Sequence, residues 1–454
     1  MSNDTVTEAW CFTPWELVPS LHLIKDGGST HTHFVDGSPA LYYDGTNQYV
    51  TFGLRRGGDN YYSIKVGAVD SSGSYTGGYD SPVWAWKVAS DILGSEDLGQ
   101  SWAKPRVSDI ATGDTTTVEG QQVKTTNRVL IMPGGYDADN EDKDTPSEGD
   151  SKGRAVFAVD ASTGELQTKL NFNQSTDDDM DYCIVELVDF DHDNDGMDDT
   201  IYAGSLGGNL FALSDRDEDG NWTKTHIFQA RSESTADSLL KFFTAADVVL
   251  ESFGDFVYIS TGDRAHPSET DTVNRIYAIK NTWANTWSTL TEEDLVDVTD
   301  YTYNSETYAS LSAGSGWYIK LSARQGEKVM SSPIVFNKIV FLTTYTPGSG
   351  GEEGDKCSVG SLGSGRLYAL NYLTGEAAMN FDTTNDTEDN EVLADSDRSR
   401  PLGTGIPSPP TLIVSKDGGP RLIIGTGTPD GKITPEVIDI PGGSNVEMYF
   451  WKQN

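Results

Sequence analysis

Residues 188–213 read VDFDHDNDGMDDTIYAGSLGGNLFAL, and they combine the two patterns that predict the fold and the site of this chain. Six aspartates fall between Asp189 and Asp199, and two strand-like runs, TIYAGS and NLFAL, follow them. Carboxylates this close together repel one another unless protons or a cation neutralise them. The stretch therefore predicts a heavily charged turn between β-strands, with a cation as one explanation for the charge.

The strand-like run NLFALSDRDEDG is one copy of a pattern that recurs along the chain. Each copy has an aromatic residue, a small or polar one and an aliphatic one, and most copies continue into an Asp- or Asn-rich turn that ends in glycine. The other copies are YYSIKV from 61, VFAVDASTG from 156, IYAIKN from 276, WYIKL from 317 and LYALNYLTG from 367. The copies are roughly 40–65 residues apart, except that the first gap is long enough to hold two units. This period is typical of propeller blades with loop insertions. A β-sandwich array would have shorter and more even spacing.

The pattern predicts an all-β chain: a β-propeller of about seven blades with long loop insertions. The turns VDASTGE (159–165) and NYLTGE (371–376) resemble the blade turns of quinoprotein dehydrogenases, so the propeller is expected to be quinoprotein-dehydrogenase-like. We expect a single domain over residues 1–454. Residues 137–153 and 382–400 are charged and poor in large apolar residues, so both are predicted to be surface insertions.

Composition excludes several classes of protein. With 70 acidic and 32 basic residues, the net charge of −38 argues against binding to nucleic acid or to an anionic membrane. The sequence contains no apolar run of about 18 residues that could span a bilayer. Residues 1–9 do not resemble a signal peptide, so we expect either a cytoplasmic chain or a mature piece of a longer secreted protein.

The three cysteines are Cys11, Cys183 and Cys357, and they form no CxxC or CxxCH motif. Their spacing excludes c-type haem attachment and zinc ribbons. One disulfide with a free thiol and three buried thiols are both compatible with the sequence, and the pairing stays open.

The aspartates fit the register of a calcium loop. Positions 1, 3, 5, 7 and 9 of such a loop supply oxygens, the seventh through its carbonyl, and Gly196 at position 6 permits the sharp turn. Ca²⁺ takes six to eight oxygens, whereas Mg²⁺ requires a stricter octahedron and keeps more water. The predicted ligands of one Ca²⁺ are Asp191, Asp193, Asp195, the Met197 carbonyl and Asp199.

The loop is not predicted to be a helix–loop–helix EF-hand, because its flanks are strand-like and Tyr202 occupies position 12. Asp189 and Asp198 either replace a ligand or lie outside the coordination shell. The stretch DRDEDGNW (215–222) imitates the pattern, but its ninth position is Thr223, so a solvated turn is favoured there over a second metal site. The stretch YDADNEDKD (136–144) lacks the glycine and is interpreted as a charged loop.

Short motifs over about residues 10–430 resemble the C-terminal domain of the PilY/PilC family of type IV pilus biogenesis factors and tip-associated adhesins. The aspartate loop with YAGSLGGNLFAL is one of these motifs. The others are WCFTPWELVPSL (10–21), HFVDGSPALYYD (33–44), FGLRRGGDNYYSI (52–64), LGQSWAKPRV (98–107), GRAVFAVDASTGE (153–165), STGD before NRIYAI (260–279), GWYIKL with GEKVMSSPIV (316–335), and FLTTYTP (341–347) with the following Cys.

This resemblance implies a β-propeller with one calcium ion that acts in pilus assembly, in the control of extension and retraction, and in surface attachment. It implies minor pilins of the pilus-tip complex as partners and an extracellular location at the pilus tip. The family's long N-terminal region, often von Willebrand factor A-like, is not in this chain, so we expect either an excised domain or a separately encoded N-terminal half. RRGGD (55–59) is not an Arg-Gly-Asp motif, so integrin binding is not implied.

Two other classes of function are compatible with a propeller. A quinone-dependent (PQQ-type) dehydrogenase is disfavoured, because those enzymes hold calcium with dispersed ligands and often carry adjacent cysteines. A hydrolase is disfavoured because no GxSxG motif is present and His31, His33 and His266 have no matching nucleophile. A generic extracellular adhesin unrelated to pili is the third alternative. We predict no enzymatic activity, and we expect six tryptophans to pack between blades rather than to stack on a cofactor: Trp10, Trp15, Trp84, Trp86, Trp102 and Trp317.

Overall fold

The structure is a computed structural model, and two compact units divide the chain. The first unit comprises residues 1–201, 213–223 and 453–454, and the second comprises residues 202–212 and 224–452. The prediction of one domain over residues 1–454 stays a prediction. The structure describes residues 10–26, 32–70, 74–89, 98–143, 149–171, 182–230, 240–283, 288–300, 303–348, 362–387, 391–415, 419–428 and 431–441.

The first unit contains two four-stranded sheets in which each strand pairs antiparallel with the next one along the chain. A sheet of four strands in chain order is the repeating unit of a propeller blade. The strands of the first sheet are β1 (Ala40–Tyr43), β2 (Asn47–Gly53), β3 (Tyr61–Val69) and β4 (Tyr75–Val88). Those of the second are β5 (Arg106–Val118), β6 (Gln121–Pro133), β7 (Ala155–Asp160) and β8 (Leu166–Asn171).

Three further sheets contain the remaining strands of the described residues. The third has β9 (Ile184–Phe190), β10 (Thr200–Ser205), β11 (Asn209–Ser214), β12 (Thr223–Gln229) and β16 (Leu290–Thr291). The fourth has β13 (Asp247–Glu251), β14 (Gly254–Ser260), β15 (Arg275–Asn281), β17 (Val296–Asp297) and β18 (Gly316–Lys320). The fifth has β19 (Lys328–Val329), β20 (Ile334–Phe336), β21 (Ile339–Thr346), β22 (Ser364–Asn371), β23 (Ser399–Thr404), β24 (Thr411–Ser415), β25 (Gly419–Gly427) and β26 (Ile433–Asp439).

Helices are short and few in the described part of the chain. They are α1 (His22–Asp26), α2 (Ala138–Glu141) and α3 (Ser305–Ala313), with 3₁₀ turns at Trp15–Ser20, Arg55–Gly57, Glu292–Asp294, Thr383–Asn385 and Asp395–Arg398. Among the described residues, none of these helices combines the length and the apolar composition that crossing a lipid bilayer requires. The predicted all-β class is therefore confirmed.

All six copies of the repeated sequence pattern lie in strands: β3, β7, β11, β15, β18 and β22. Within them, the aromatic residues Phe157, Phe211 and Tyr277 and the aliphatic residues two positions later are buried. Strand residues alternate between the two faces of a sheet, so two positions apart means the same face. The residues between these positions, Ala158, Ala212 and Ala278, are buried as well, so the repeat marks strands that are buried on both faces.

The turns that follow two of these strands are held by tryptophans from other sheets. The indole nitrogen of Trp86, on β4, donates a hydrogen bond to the carbonyl of Ala161 over 2.9 Å, and the side chain is buried. A Cβ atom on Gly164 would lie 2.9 Å from the same indole ring, so only glycine lets the turn approach this closely. The turn DASTGE (160–165) thus docks the second sheet of the unit on the first.

The second unit repeats this contact with other residues. Trp317, on β18, is fully buried and donates to the carbonyl of Tyr372 over 3.1 Å, and a Cβ on Gly375 would lie 3.1 Å from its ring. Tyr372 and Gly375 occupy the same places in NYLTGE (371–376) as Ala161 and Gly164 do in DASTGE. Trp86, Trp102 and Trp317 are core residues as predicted, but Trp15 and Trp84 are exposed and that part of the prediction is wrong.

The prediction of two surface insertions is also wrong in part. In the segment 137–153, the side chains of Asp137, Glu141 and Asp150 are buried, and in the segment 382–400 Asp397 is fully buried. Asp397 accepts hydrogen bonds from the backbone nitrogens of Phe381, Asp382 and Ala394, which compensates for its burial. Charged composition alone therefore did not identify exposed loops here.

Replacing Trp86 with Ala is expected to lower the free energy of unfolding by about 3–5 kcal/mol, because it empties a packed site and removes one of the two donors to the Ala161 carbonyl, the other being the Tyr42 hydroxyl. Urea unfolding followed by circular dichroism measures this change. The matched control is Trp15→Ala, since Trp15 is 81% exposed, and we expect an effect within about 0.5 kcal/mol. Equal losses in the two variants would contradict the docking role of Trp86.

Candidate metal centre

The predicted calcium loop connects β9 to β10 and folds around the carboxylate of Asp191. Its Oδ1 accepts the backbone N–H groups of Asn194 and Asp195, over 2.6 and 3.2 Å, and its Oδ2 accepts that of Gly196 over 2.7 Å. The chain turns sharply here, with φ of 62° at Asn194 and 103° at Gly196. A Cβ on Gly196 would meet no atom within 4 Å, so glycine serves the backbone angle rather than space.

Three of the five predicted ligands lie together. Carboxylate oxygens of Asp191, Asp193 and Asp195 lie within 4.8 Å of one another. Asp199, the fourth predicted carboxylate, is buried, and its Oδ1 accepts from the Thr200 hydroxyl over 2.7 Å and weakly from the His192 backbone over 3.3 Å.

The electrostatics of this loop favour a neutralising partner. Partial burial, together with the charges of Glu218 and Asp191, raises the pKa of Asp195 above its ordinary value. Burial likewise raises the pKa of Asp199. Both shifts mean that the ionised form is disfavoured when no cation is nearby. A divalent cation bound between these carboxylates would favour their ionised forms, as expected for a metal-binding loop.

The two remaining aspartates of this stretch, Asp189 and Asp198, contact β5 and not the centre of the loop. Asp189 pairs with Arg106 over 2.7 Å, and Asp198 accepts from the hydroxyl of Ser108 over 2.7 Å. The backbone nitrogen of Asp198 also donates to the carbonyl of Asp109 over 2.7 Å. These contacts attach the loop to β5, so Asp189 and Asp198 lie outside the candidate shell.

A second acidic loop lies beside the first in the same unit. The backbone nitrogen of Asp215 donates to the carbonyl of Asp199 over 2.9 Å, and Asp215 accepts from the backbone nitrogens of Asp219 and Gly220, each over 3.1 Å. Oxygens of Asp215, Asp217 and Asp219 lie within 4.8 Å of one another. The hydroxyl of Thr223, at position 9, donates to the carbonyl of Ser214 over 3.1 Å. Metal binding at this loop stays untested.

Glu218 is a residue of this site that the sequence analysis missed. Its carboxylate is nearly buried, pairs with Lys124 over 2.7 Å, and contributes to the raised pKa of Asp195. No spacing rule connects Glu218 with a loop that ends at Asp199, because β10 and β11 lie between them. Its proximity to Asp195 adds negative potential at the candidate centre.

Tyr202, which takes the place of the glutamate of an EF-hand, is a core residue. It is buried, its hydroxyl donates to Asp255 over 2.6 Å, and it accepts from the side-chain amide of Asn281 over 2.7 Å. Its aromatic ring and hydroxyl serve the packing of the second unit. The strand that begins after Asp199 thus leaves no ligand at position 12.

The cysteines are not among the predicted ligands of this loop. Cys11 is exposed and Cys183 is buried, and these two are not bonded to each other. Cys357 lies outside the described residues, as does His31.

His266 contacts Asp263 over 3.0 Å, and Asp263 also pairs with Lys241 over 2.8 Å.

Known proteins resemble this chain along most of its length. A type IV pilus biogenesis factor PilY1 homolog of Xylella fastidiosa is 24% identical over 413 residues, which cover 83% of this chain and 25% of that protein. PilY1 of Pseudomonas aeruginosa strain UCBPP-PA14 is 22% identical over 444 residues, covering 82% of this chain and 34% of that protein. The crystal structure of the P. aeruginosa PilY1 C-terminal domain superposes with a TM-score of 0.65 at 18% identity, over 95% of this chain and 88% of that domain.

The resemblance to the PilY/PilC family is confirmed. The shared fold also confirms the propeller-type class predicted from the repeat. No family model matches the sequence. The chain spans about a quarter to a third of the length of the curated relatives it matches.

The contacts of Asp263 with Lys241 and His266 should make the stability of the fold depend on pH. Burial raises the pKa of Asp263, but hydrogen bonds from His266 and Lys241 and the charge of Lys241 outweigh it, so the pKa is below its ordinary value. A carboxyl group with a depressed pKa stabilises the fold above its unfolded pKa of about 4 and loses this contribution as the pH falls. Asp263→Asn is expected to cost about 3–5 kcal/mol at pH 7, because it removes the carboxylate charge that pairs with the buried Lys241.

Chemical unfolding at a series of pH values measures this effect. The difference between the wild type and Asp263→Asn should shrink as the pH falls below about 4. Asp271→Asn, at an exposed position of the same segment, is the control and should follow the wild type. A difference that does not change between pH 7 and the acid range would refute the ion-pair explanation.

Proposed function

We propose that this chain is the calcium-binding, propeller-type domain of a type IV pilus biogenesis factor that regulates pilus extension and retraction and mediates surface attachment. The observation that carries this proposal is the similarity to PilY1 proteins over more than four-fifths of the chain. The domain acts by binding and assembly rather than by catalysis. Its location is extracellular, at the pilus tip.

One Ca²⁺ is assigned to the aspartate loop. The chemistry of the donors supports this assignment, because the clustered carboxylates and one backbone carbonyl are hard oxygen ligands. Ca²⁺ accepts the irregular geometry of a nine-residue turn, whereas Mg²⁺ requires a near-ideal octahedron. Water completes the shell. The assigned ligands are Asp191, Asp193, Asp195, the Met197 carbonyl and Asp199.

The ion has a structural role in this proposal. It neutralises carboxylates whose ionised forms the fold disfavours, and it fixes the turn that joins β9 to β10. The same turn is attached to β5 through Asp189 and Asp198, so a fixed turn also orders the surface that these strands present. Without calcium, this surface loses its fixed arrangement. We infer that the pilus machinery responds to this change, so that calcium acts as a switch.

The partners in this proposal are minor pilins of the pilus-tip complex and a separately encoded N-terminal half. A strongly acidic domain associates with complementary basic surfaces, and the edges of its sheets can accept an added strand. Both contacts would depend on an ordered loop at the end of β9.

Asp195→Asn tests the calcium assignment, because the change removes one negative charge and keeps an oxygen acceptor for the Met197 backbone nitrogen. In chelator, the variant is expected to be at least as stable as the wild type, since an unfavourable charge is gone. In calcium, the wild type should gain roughly 2–4 kcal/mol from saturating ion, and the variant should gain clearly less. Calorimetric titration and thermal melts with and without calcium measure both effects.

The matched control is Asp217→Asn in the neighbouring loop, where the carboxylate is exposed. This variant should bind calcium like the wild type. If calcium releases no heat and leaves the melting temperature of the wild type unchanged, the loop is a charged turn and the calcium proposal fails.

Partner binding is tested with purified minor pilins. Immobilised chain should retain them in calcium, and retention should fall several-fold in chelator or with Asp195→Asn, while Asp217→Asn behaves like the wild type. Failure to retain any minor pilin in calcium, from a chain shown by titration to hold its ion, would contradict the pilus assignment without affecting the calcium assignment.

A further inference from the structure

A second cluster of ligand-type side chains is buried in the first unit, away from the aspartate loop. Donor atoms of Glu141, Asp150 and Cys183 lie within 4.8 Å of one another. The three side chains are at most 3% exposed. Glu141 ends α2, Asp150 precedes β7, and Cys183 immediately precedes β9, so the cluster joins three separate parts of the chain.

Asp150 is held at the centre of this cluster. Its Oδ1 accepts from the side-chain amide of Asn140 over 2.8 Å, and its Oδ2 accepts from the backbone nitrogen of Cys183 over 2.7 Å. The surrounding backbone is equally constrained, since Ile184 donates to the carbonyl of Gly153 over 2.9 Å and accepts from Gly135 over 2.8 Å. The donor atoms therefore occupy positions set by the fold and not by mobile side chains.

Asp137 supplies an independent indication of a missing partner. It is buried, and its Oδ2 accepts hydrogen bonds from Ser151 and from the backbone nitrogen of Lys152. Its Oδ1 is also shielded from solvent but accepts no hydrogen bond from the described residues. The charge of Asp137 acts on Asp150, although Asp137 is not among the donors that lie within 4.8 Å of one another. A buried carboxylate oxygen without a donor is costly and calls for water or a cation.

The described residues provide no ion pair for Asp137 or Asp150. Buried charges in proteins are paired with opposite charges, coordinate metals, or are neutralised by protons. Several carboxyl groups beside one thiol, all withdrawn from water, are the composition of a closed metal site.

We propose that Glu141, Asp150 and Cys183 bind a Zn²⁺-like divalent cation. The thiol decides the class of metal, because Ca²⁺ and Mg²⁺ take oxygen ligands whereas Zn²⁺ binds thiolate and carboxylate together. The burial of all three donors matches a structural site, since a catalytic zinc keeps an open position.

An ion can approach this site from one side. A cleft of about 300 Å³ lies next to it and is lined by Asp59, Tyr136, Asp137, Asp139 and Lys152 among others. Asp137 lines the cleft and its charge acts on Asp150, so the cleft lies on the side of the cluster that a cation can approach. The acidic lining concentrates cations at the entrance.

The proposed ion explains why the charged side chains of Glu141 and Asp150 are buried. It would connect α2 and the entry to β7 with the residue that precedes β9. The aspartate loop follows the other end of β9, at Phe190. The two candidate centres are thus separate in space along this strand and differ in donor chemistry, one with oxygen only and one with sulfur.

Zinc titration of the reduced, metal-free chain tests the proposal. With the aspartate loop saturated by Ca²⁺, we expect one further equivalent of Zn²⁺ per chain by calorimetry and by elemental analysis. Cys183→Ser and Asp150→Asn should lower the Zn²⁺ affinity by more than roughly 10–100-fold, the range for changes outside the first coordination shell. Asp271→Asn, at an exposed position outside both candidate centres, is the control and should leave Zn²⁺ binding unchanged.

Co²⁺ provides a readout that requires no variant, so the proposal stays testable if Cys183→Ser does not fold. Cobalt in the wild-type chain should give the near-ultraviolet charge-transfer absorption of a thiolate ligand, and added Zn²⁺ should remove it. The proposal is overturned if no zinc binds, if Cys183→Ser binds zinc like the wild type, or if thiol titration finds Cys183 in a disulfide with Cys357.

Discussion

Repulsion between carboxylates that the fold holds close together is the constraint on which the first unit depends. At the aspartate loop, oxygens of three carboxylates lie within 4.8 Å of one another, and burial disfavours the ionised forms of Asp195 and Asp199. Backbone N–H groups directed at Asp191 reduce this cost but supply no full positive charge. In a chain with a net charge of −38, few cationic side chains are left to neutralise these carboxylates, so a metal ion would serve as their counter-charge.

The strand β9 connects the aspartate loop to the buried cluster of Glu141, Asp150 and Cys183. It starts after Cys183 in the buried cluster and ends at the aspartate loop, and neighbouring contacts reach β5 through Arg106 and Ser108. Ordering either end of the strand therefore orders the same sheet. In the proposed function, calcium at the loop controls a surface, while the ion at the buried cluster secures the framework on which that surface is built.

Local features of the fold and of the loop could be predicted from the sequence, because their determinants are neighbours along the chain. The period-2 aromatic and aliphatic positions locate six strands, and the spacing of Asp191, Asp193, Asp195 and Gly196 defines a turn that closes on itself. Features that depend on distant residues could not be predicted. Glu218 reaches Asp195 only because β10 and β11 bring the second loop back, and Cys183 meets Asp150 only after β7 and β8 have paired. Asp137 and Glu141 have the composition of a solvated loop, and only their tertiary environment buries them.

The central claim is that the aspartate loop is a calcium centre, and crystallography of the chain grown in calcium tests it most directly. We predict one ion, identified by its anomalous signal, within about 2.3–2.6 Å of carboxylate oxygens of Asp191, Asp193, Asp195 and Asp199 and of the Met197 carbonyl. A well-ordered loop with these side chains directed to solvent, and no density between them at saturating calcium, would contradict the claim.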